Sequence, residues 1–243
     1  QPHITHINAD DVWDLGYTGK NVLVALIDTG ADINHIDLKD NLWDGGDEFP
    51  NHGYNTYEDN HNINDGFGHG THCAGIICGN GSSGTQTGIA PDATIMVVKV
   101  MDDGGYGGAS GICSGMEFSL EHGADLFNMS LGIPNASVSA KEMLRNSCIN
   151  TMQAGIAATV AVGNEGQLQI SFPVPRNVRT PGACPPPWIH PDQESNIGGT
   201  SCCIAVGAVD FNNNHAPFSS NGPVTWEETS FGDYPYEPGI GLI

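Results

Sequence analysis

Val22-Leu23-Val24-Ala25-Leu26-Ile27-Asp28-Thr29-Gly30 is an unbroken apolar run that stops abruptly at a carboxylate and a turn. A continuous apolar run, without polar alternation, predicts a strand covered on both faces, as in parallel sheets. A carboxylate at the carboxyl end of such a strand stands where open α/β sheets gather their ligands. Asp28 could also serve as a simple turn cap, but the sharp step from apolar residues to Asp-Thr-Gly favours a functional role.

Working outward, the same pattern returns at residues 95–100, 124–131 and 156–162, with a further strand at 202–209. Helical spacing lies between these runs. Ile112, Met116 and Leu120 repeat every four residues in a helix reaching about His122. Ser139-Ala140-Lys141-Glu142 fits a capping box at the start of another helix, which ends near Gly155. Strands alternating with helices predict an α/β fold: a doubly wound, mostly parallel sheet with helices on both faces. Residues 10–15 read as a short helix. The acidic, glycine-dotted stretch 37–64 reads as surface loops and short strands, and the proline-rich stretch 171–200 as a surface insertion.

The second decisive stretch is Asp65-Gly66-Phe67-Gly68-His69-Gly70-Thr71-His72-Cys73-Ala74-Gly75. It sets a histidine among glycines at the expected start of a helix, where little crowds the imidazole. The chain has ten histidines, and most histidines are surface or core residues. His69 and His72 could share a helix face and a metal, but a zinc-peptidase helix needs H-E-x-x-H, and neither that spacing nor the glutamate is present. Nucleophilic hydrolysis instead needs an acid partner and an oxyanion site elsewhere in the chain.

Composition narrows the function. Seven Lys+Arg against 28 Asp+Glu give a net charge of −21, which argues against nucleic acid and anionic membranes as partners. The same balance suits a soluble, cation-stabilised, secreted or extracellular protein. No apolar run approaches the roughly 20 residues of a membrane span. The start at Gln1 has no basic stretch leading into an apolar one, so any secretion signal is expected to lie outside these residues. The seven cysteines follow no disulfide-scaffold spacing. Cys73 and Cys78 read as core thiols on the helix after His69. Cys184 has Cys202 and Cys203 as candidate partners.

Taken together, the motifs carry a family resemblance. V-A-L-I-D-T-G (24–30), G-H-G-T-H-C-A-G (68–75), G-I-A-P (88–91), N-M-S-L-G (128–132), A-V-G-N-E-G (161–166), V-G-A-V-D (206–210) and F-S-S-N-G-P (218–223) resemble, in order, the motifs of subtilisin-type serine proteases. They cover nearly the whole chain, which the resemblance implies is a single peptidase domain. Asp28 would then be the triad acid, His69 the general base, and Asn164 the side-chain donor of the oxyanion hole. His72 would be structural. Ser130-Leu131-Gly132 and Gly105-Tyr106-Gly107 would be the two edges that pair with an extended substrate. Ala161-Val162-Gly163 would be a wall of the first specificity pocket, where small residues leave room for a large apolar side chain. Asp37 falls where the family often binds calcium, although Ser82 departs from the usual loop. No cofactor is required, and the implied partners are a peptide or protein substrate and the protein's own propeptide.

One departure concerns the nucleophile. The family's serine lies in G-T-S-M-A-x-P at the head of a helix after the F-S-S-x-G-P turn, and these residues stop at Gly241-Leu242-Ile243. Gly199-Thr200-Ser201 is no substitute, because it leads into a strand-like run and precedes V-G-A-V-D. The expectation is a domain incomplete at its C-terminal side, with the serine beyond residue 243. The alternative is an inert relative that binds peptides in the same groove.

Overall fold

The computed structural model describes residues 2–82, 84, 86–184 and 203–232. The chain divides into two compact units, Gln1–Asn128 and Met129–Ile243.

In the first unit, short helices α1 (Pro2–His6) and α2 (Ala9–Asp14) precede β1 (Leu23–Asp28), β2 (Gly53–Asn55), α3 (His69–Cys78), β3 (Thr94–Lys99), α4 (Ala109–Glu121) and β4 (Leu126–Met129). The strands lie in the order β2-β3-β1-β4, all parallel. Register runs from Leu23 opposite Thr94 to Asp28 opposite Lys99. Alternation along the strands then assigns each helix a face. Val24, Leu26, Ile95 and Val97 pack with Cys73, Ala74 and Cys78 of α3. On the other face, a Cβ added at Gly115 of α4 would lie 2.6 Å from Val100 and 3.4 Å from Ile27. Helices therefore cover both faces, and Ala25, Leu26 and Ile27 have no exposed surface. Each large side chain so buried contributes about 1.5–3 kcal/mol.

The α/β fold with parallel strands is as the sequence predicts, with local corrections. On α4 the buried residues are Ile112, Gly115, Met116, Phe118 and Ser119, while Leu120 is half-buried. The stretch 37–64 is pinned by aromatic packing: Phe49 and Tyr54 lie 5.1 and 5.3 Å from the Phe118 ring, and His122 stacks on Phe118 at 4.1 Å.

The second unit holds α5 (Val138–Gln153), β5 (Ala157–Ala161) and β6 (Cys203–Val206), with β5 and β6 parallel. The cap of α5 sits two residues earlier than predicted. Ser137 accepts a hydrogen bond from Ala140 N at 3.3 Å, and Glu142 accepts from Ser230 N at 2.7 Å instead of closing a box. Strand β5 alternates: Ala158 and Val160 are buried, Ala157 is exposed. Trp226 is fully buried, donates to Ala183 O at 3.0 Å, and lies under Arg145 of α5. Cys184 is a free, buried thiol, so it forms no bridge to Cys203; Cys202 and Ser201 lie outside the described residues, as does the part of the predicted insertion beyond 184.

Candidate active site

Asp28 ends β1, and its side chain is fully buried. Its Oδ1 accepts from Thr29 N at 2.7 Å and from His69 Nδ1 at 2.7 Å. A carboxylate only accepts, so the proton of this bond sits on Nδ1, and Nε2 becomes the basic nitrogen when the ring is neutral. Asp28 Oδ2 has no hydrogen-bond partner among the described residues. The Asp28 bond, joined by the nearby Cys73 thiol, raises the His69 pKa from 6.5 to about 10, against the opposing effect of burial.

The close approach of β1 and α3 depends on two glycines. Gly30 has φ +109, and a Cβ added at Gly70 would lie 2.0 Å from Gly30 O. Asp65 locks the same junction. Its Oδ1 accepts from Thr29 Oγ1 and Gly68 N, both at 2.8 Å. Its Oδ2 accepts from Thr71 N at 2.8 Å and Thr71 Oγ1 at 2.7 Å. Thr29 Oγ1 in turn accepts from Gly70 N at 2.9 Å. Asp65 thus satisfies the Gly68 and Thr71 amides at the start of α3 and, through Thr29 Oγ1, ties them to the end of β1. Burial pushes its carboxyl up, but the bonds from Thr71, Gly68 and Thr29 outweigh this and hold it below the usual aspartate value. Beneath the turn, buried Lys99 donates to Thr29 O and, at 2.9 Å, to Asp103.

Sequence reading did not assign roles to Asp65, Lys99 or Phe67. An Asp three residues ahead of a Gly N-cap, followed by Thr71, is the signal that could have exposed Asp65. Phe67 is half-exposed, and a Cβ on Gly105 would lie 3.2 Å from its ring. The Gly105-Tyr106-Gly107 segment therefore adjoins the chain that carries His69. Asp102 holds this segment, accepting from Tyr106 N at 2.8 Å and Gly104 N at 2.9 Å, and Tyr106 is exposed. His72 is exposed on α3. Cys73 is buried as predicted, but its Sγ also lies 3.8 Å from His69 Nδ1. One donor atom each from Asp28, His69 and Cys73 lie within 4.8 Å of one another.

In the second unit, Ser130-Leu131-Gly132 follows β4, and Ala161 ends β5, with Val162-Gly163-Asn164 following it. Leu131 is buried and Asn164 exposed. Asn164 N donates to Glu165 Oε2 at 2.9 Å. Glu165 is itself buried and paired with Arg179, whose Nε is 3.0 Å from both carboxylate oxygens and whose Nη2 donates to Oε1. Ser220 Oγ bonds both Glu165 N and Oε2. Burial raises the Glu165 carboxyl pKa, but Arg179, Asn164 N and Ser220 bring it below the usual glutamate value.

Asp37 is buried, and its carbonyl accepts from Asn80 N at 3.0 Å, so its turn adjoins Asn80. Asn80 Oδ1 is taken by Ser82 N at 3.0 Å.

A family model described as "Subtilase family" matches residues 19–232. The chain is 35% identical over 216 residues to subtilisin DY of Bacillus licheniformis, covering 89% of this chain and 66% of that protein. It is 35% identical over 219 residues to subtilisin E of Bacillus subtilis (strain 168), covering 90% and 49%. It is 37% identical over 177 residues to the major intracellular serine protease of the same organism, covering 70% and 53%. The chain thus spans about half to two thirds of the length of these relatives.

Proposed function

Because the chain belongs to the subtilase family, we propose that it is the acid–base portion of a serine endopeptidase that hydrolyses peptide bonds through an acyl-enzyme. The observation that carries this reading is the 2.7 Å bond between buried Asp28 and His69 Nδ1. Asp28 fixes the tautomer and stabilises the imidazolium that forms during attack. His69 Nε2 takes the proton of a serine hydroxyl supplied from beyond residue 243, then returns it to the leaving amine. Asn164 donates from its side-chain amide to the oxyanion. The loss of such a donor costs on the order of 10²–10³ in turnover. Gly105-Tyr106-Gly107 and Ser130-Leu131-Gly132 each pair with an extended peptide or protein substrate, and the protein's own propeptide binds the same segments before maturation. A structural calcium at Asp37 and an extracellular location go with this reading. No helix among the described residues is long and apolar enough to cross a membrane.

A fluorophosphonate probe applied to the full-length protein tests the proposal. We expect one serine to be labelled in the wild type and labelling to be abolished in His69→Ala. Folded protein that carries the G-T-S-x-A segment but stays unlabelled rules out the protease reading and leaves a peptide-binding module.

A further inference from the structure

The two strand ends assigned above to substrate binding in the second unit both present a glycine to the same side chain. A Cβ built on Gly132 would lie 2.7 Å from Arg179 Cβ and 3.4 Å from its Cδ. One built on Gly163, where φ is +111, would lie 2.7 Å from Arg179 Cγ. The Arg179 stem therefore runs through the slot between Gly132 and Gly163. Its backbone is fixed there, with Arg179 N donating to Val162 O at 2.8 Å and Thr180 paired with Ile133. The guanidinium ends on buried Glu165 in a forked ion pair. That fork holds the stem in one orientation, whereas an unpaired arginine would swing out toward water.

Two glycines facing each other across a slot at parallel strand ends leave room for an incoming side chain. Here that room is taken from within. We infer that Arg179 is the specificity-determining residue of the pocket walled by residues 130–132 and 161–163. Its stem makes the seat shallow, and its pairing with Glu165 leaves the floor without net charge. The substrate residue seated there is Gly, Ala or Ser, and aromatic, large aliphatic and basic residues are rejected. This rests on the proposed reading of those segments as substrate walls. It reverses the preference for a large apolar side chain that their small residues suggest in the sequence.

The test uses the full-length protein and acylated tetrapeptides identical except for a C-terminal Ala, Phe or Lys. These resemble cleavage products and bind without turnover, so calorimetry reads the pocket directly. The wild type should bind the Ala peptide at least about tenfold more tightly than the Phe or Lys peptide, the scale on which pocket size discriminates side chains. Arg179→Ala uncovers the Glu165 carboxylate and should gain affinity for the Lys peptide. Arg179→Ala combined with Glu165→Gln should move the preference to Phe. A wild type that prefers Phe overturns the inference, as does a folded double variant that keeps the wild-type order. The wild-type order decides the matter even where a variant fails to fold. Fluorophosphonate labelling accompanied by a Phe preference removes the inference and leaves the protease reading intact. Absence of both labelling and peptide binding removes both.

Discussion

At the scale of single residues, the site is a matter of one proton. Asp28 is shielded from water and can do nothing with its Oδ1 charge except accept from Thr29 N and His69 Nδ1. The raised imidazole pKa, from 6.5 to about 10, fixes the sign of two pH effects. A group whose folded pKa is raised stabilises the fold fully below its unfolded value, and that stability is lost as pH climbs through the folded value. The His69–Asp28 contribution is therefore complete below about pH 6.5 and fades toward pH 10. The basic form of the ring, needed for attack, grows over the same interval. Fluorophosphonate labelling should then accelerate with pH across the alkaline range. Asp28→Asn should return the imidazole titration, followed by NMR, toward 6.5 and slow labelling by about three to four orders of magnitude. An imidazole that titrates unchanged in Asp28→Asn would show that some other group sets its basicity.

At the scale of elements, two helix starts use different devices. Helix α5 has an ordinary cap, Ser137, which makes no hydrogen bond to the residues proposed for the chemistry among those described. Helix α3 begins at His69 after Gly68, which offers no side chain, and Asp65 replaces the missing cap from four residues upstream of the histidine. Both substitutions to alanine should cost about 1–2 kcal/mol, the usual worth of a cap. That corresponds to a few degrees in Tm for a chain of this size. Their effects on chemistry should differ. Ser137→Ala should leave fluorophosphonate labelling unchanged, while Asp65→Ala frees the β1–α3 junction and should slow it. Equal labelling rates in the two variants would reduce Asp65 to a cap alone.

At the scale of the whole molecule, a net charge of −21 opposes compaction through self-repulsion that extends over about 10 Å at 0.1 M salt. Thermal unfolding should therefore shift upward as sodium chloride rises from about 10 to about 200 mM, where screening shortens that range. At fixed ionic strength, added calcium should raise Tm further, chelator should remove the gain, and Asp37→Asn should abolish it. A calcium increment that survives Asp37→Asn would move the cation elsewhere. The apolar runs were legible from sequence because a doubly covered parallel strand can be little else, and the glycine-framed histidine was legible because the required closeness excludes side chains. From these two signals came the α/β fold, β1, β3 and α3, whereas the pairing of Asp28 with His69 was an expectation that the resemblance to subtilisin-type proteases implied. Other features were not written in any local pattern. The Asp65 lock on α3, buried Lys99 beneath Thr29, the aromatic packing of Phe49, Tyr54, Phe118 and His122, and the Arg179 stem between Gly132 and Gly163 each join residues far apart in the chain. Periodicity reports which face of an element is apolar, and so the sequence determined the elements and the chemistry at their ends. Hydrogen bonds and steric exclusion depend on which ends meet, and only the tertiary structure decided that.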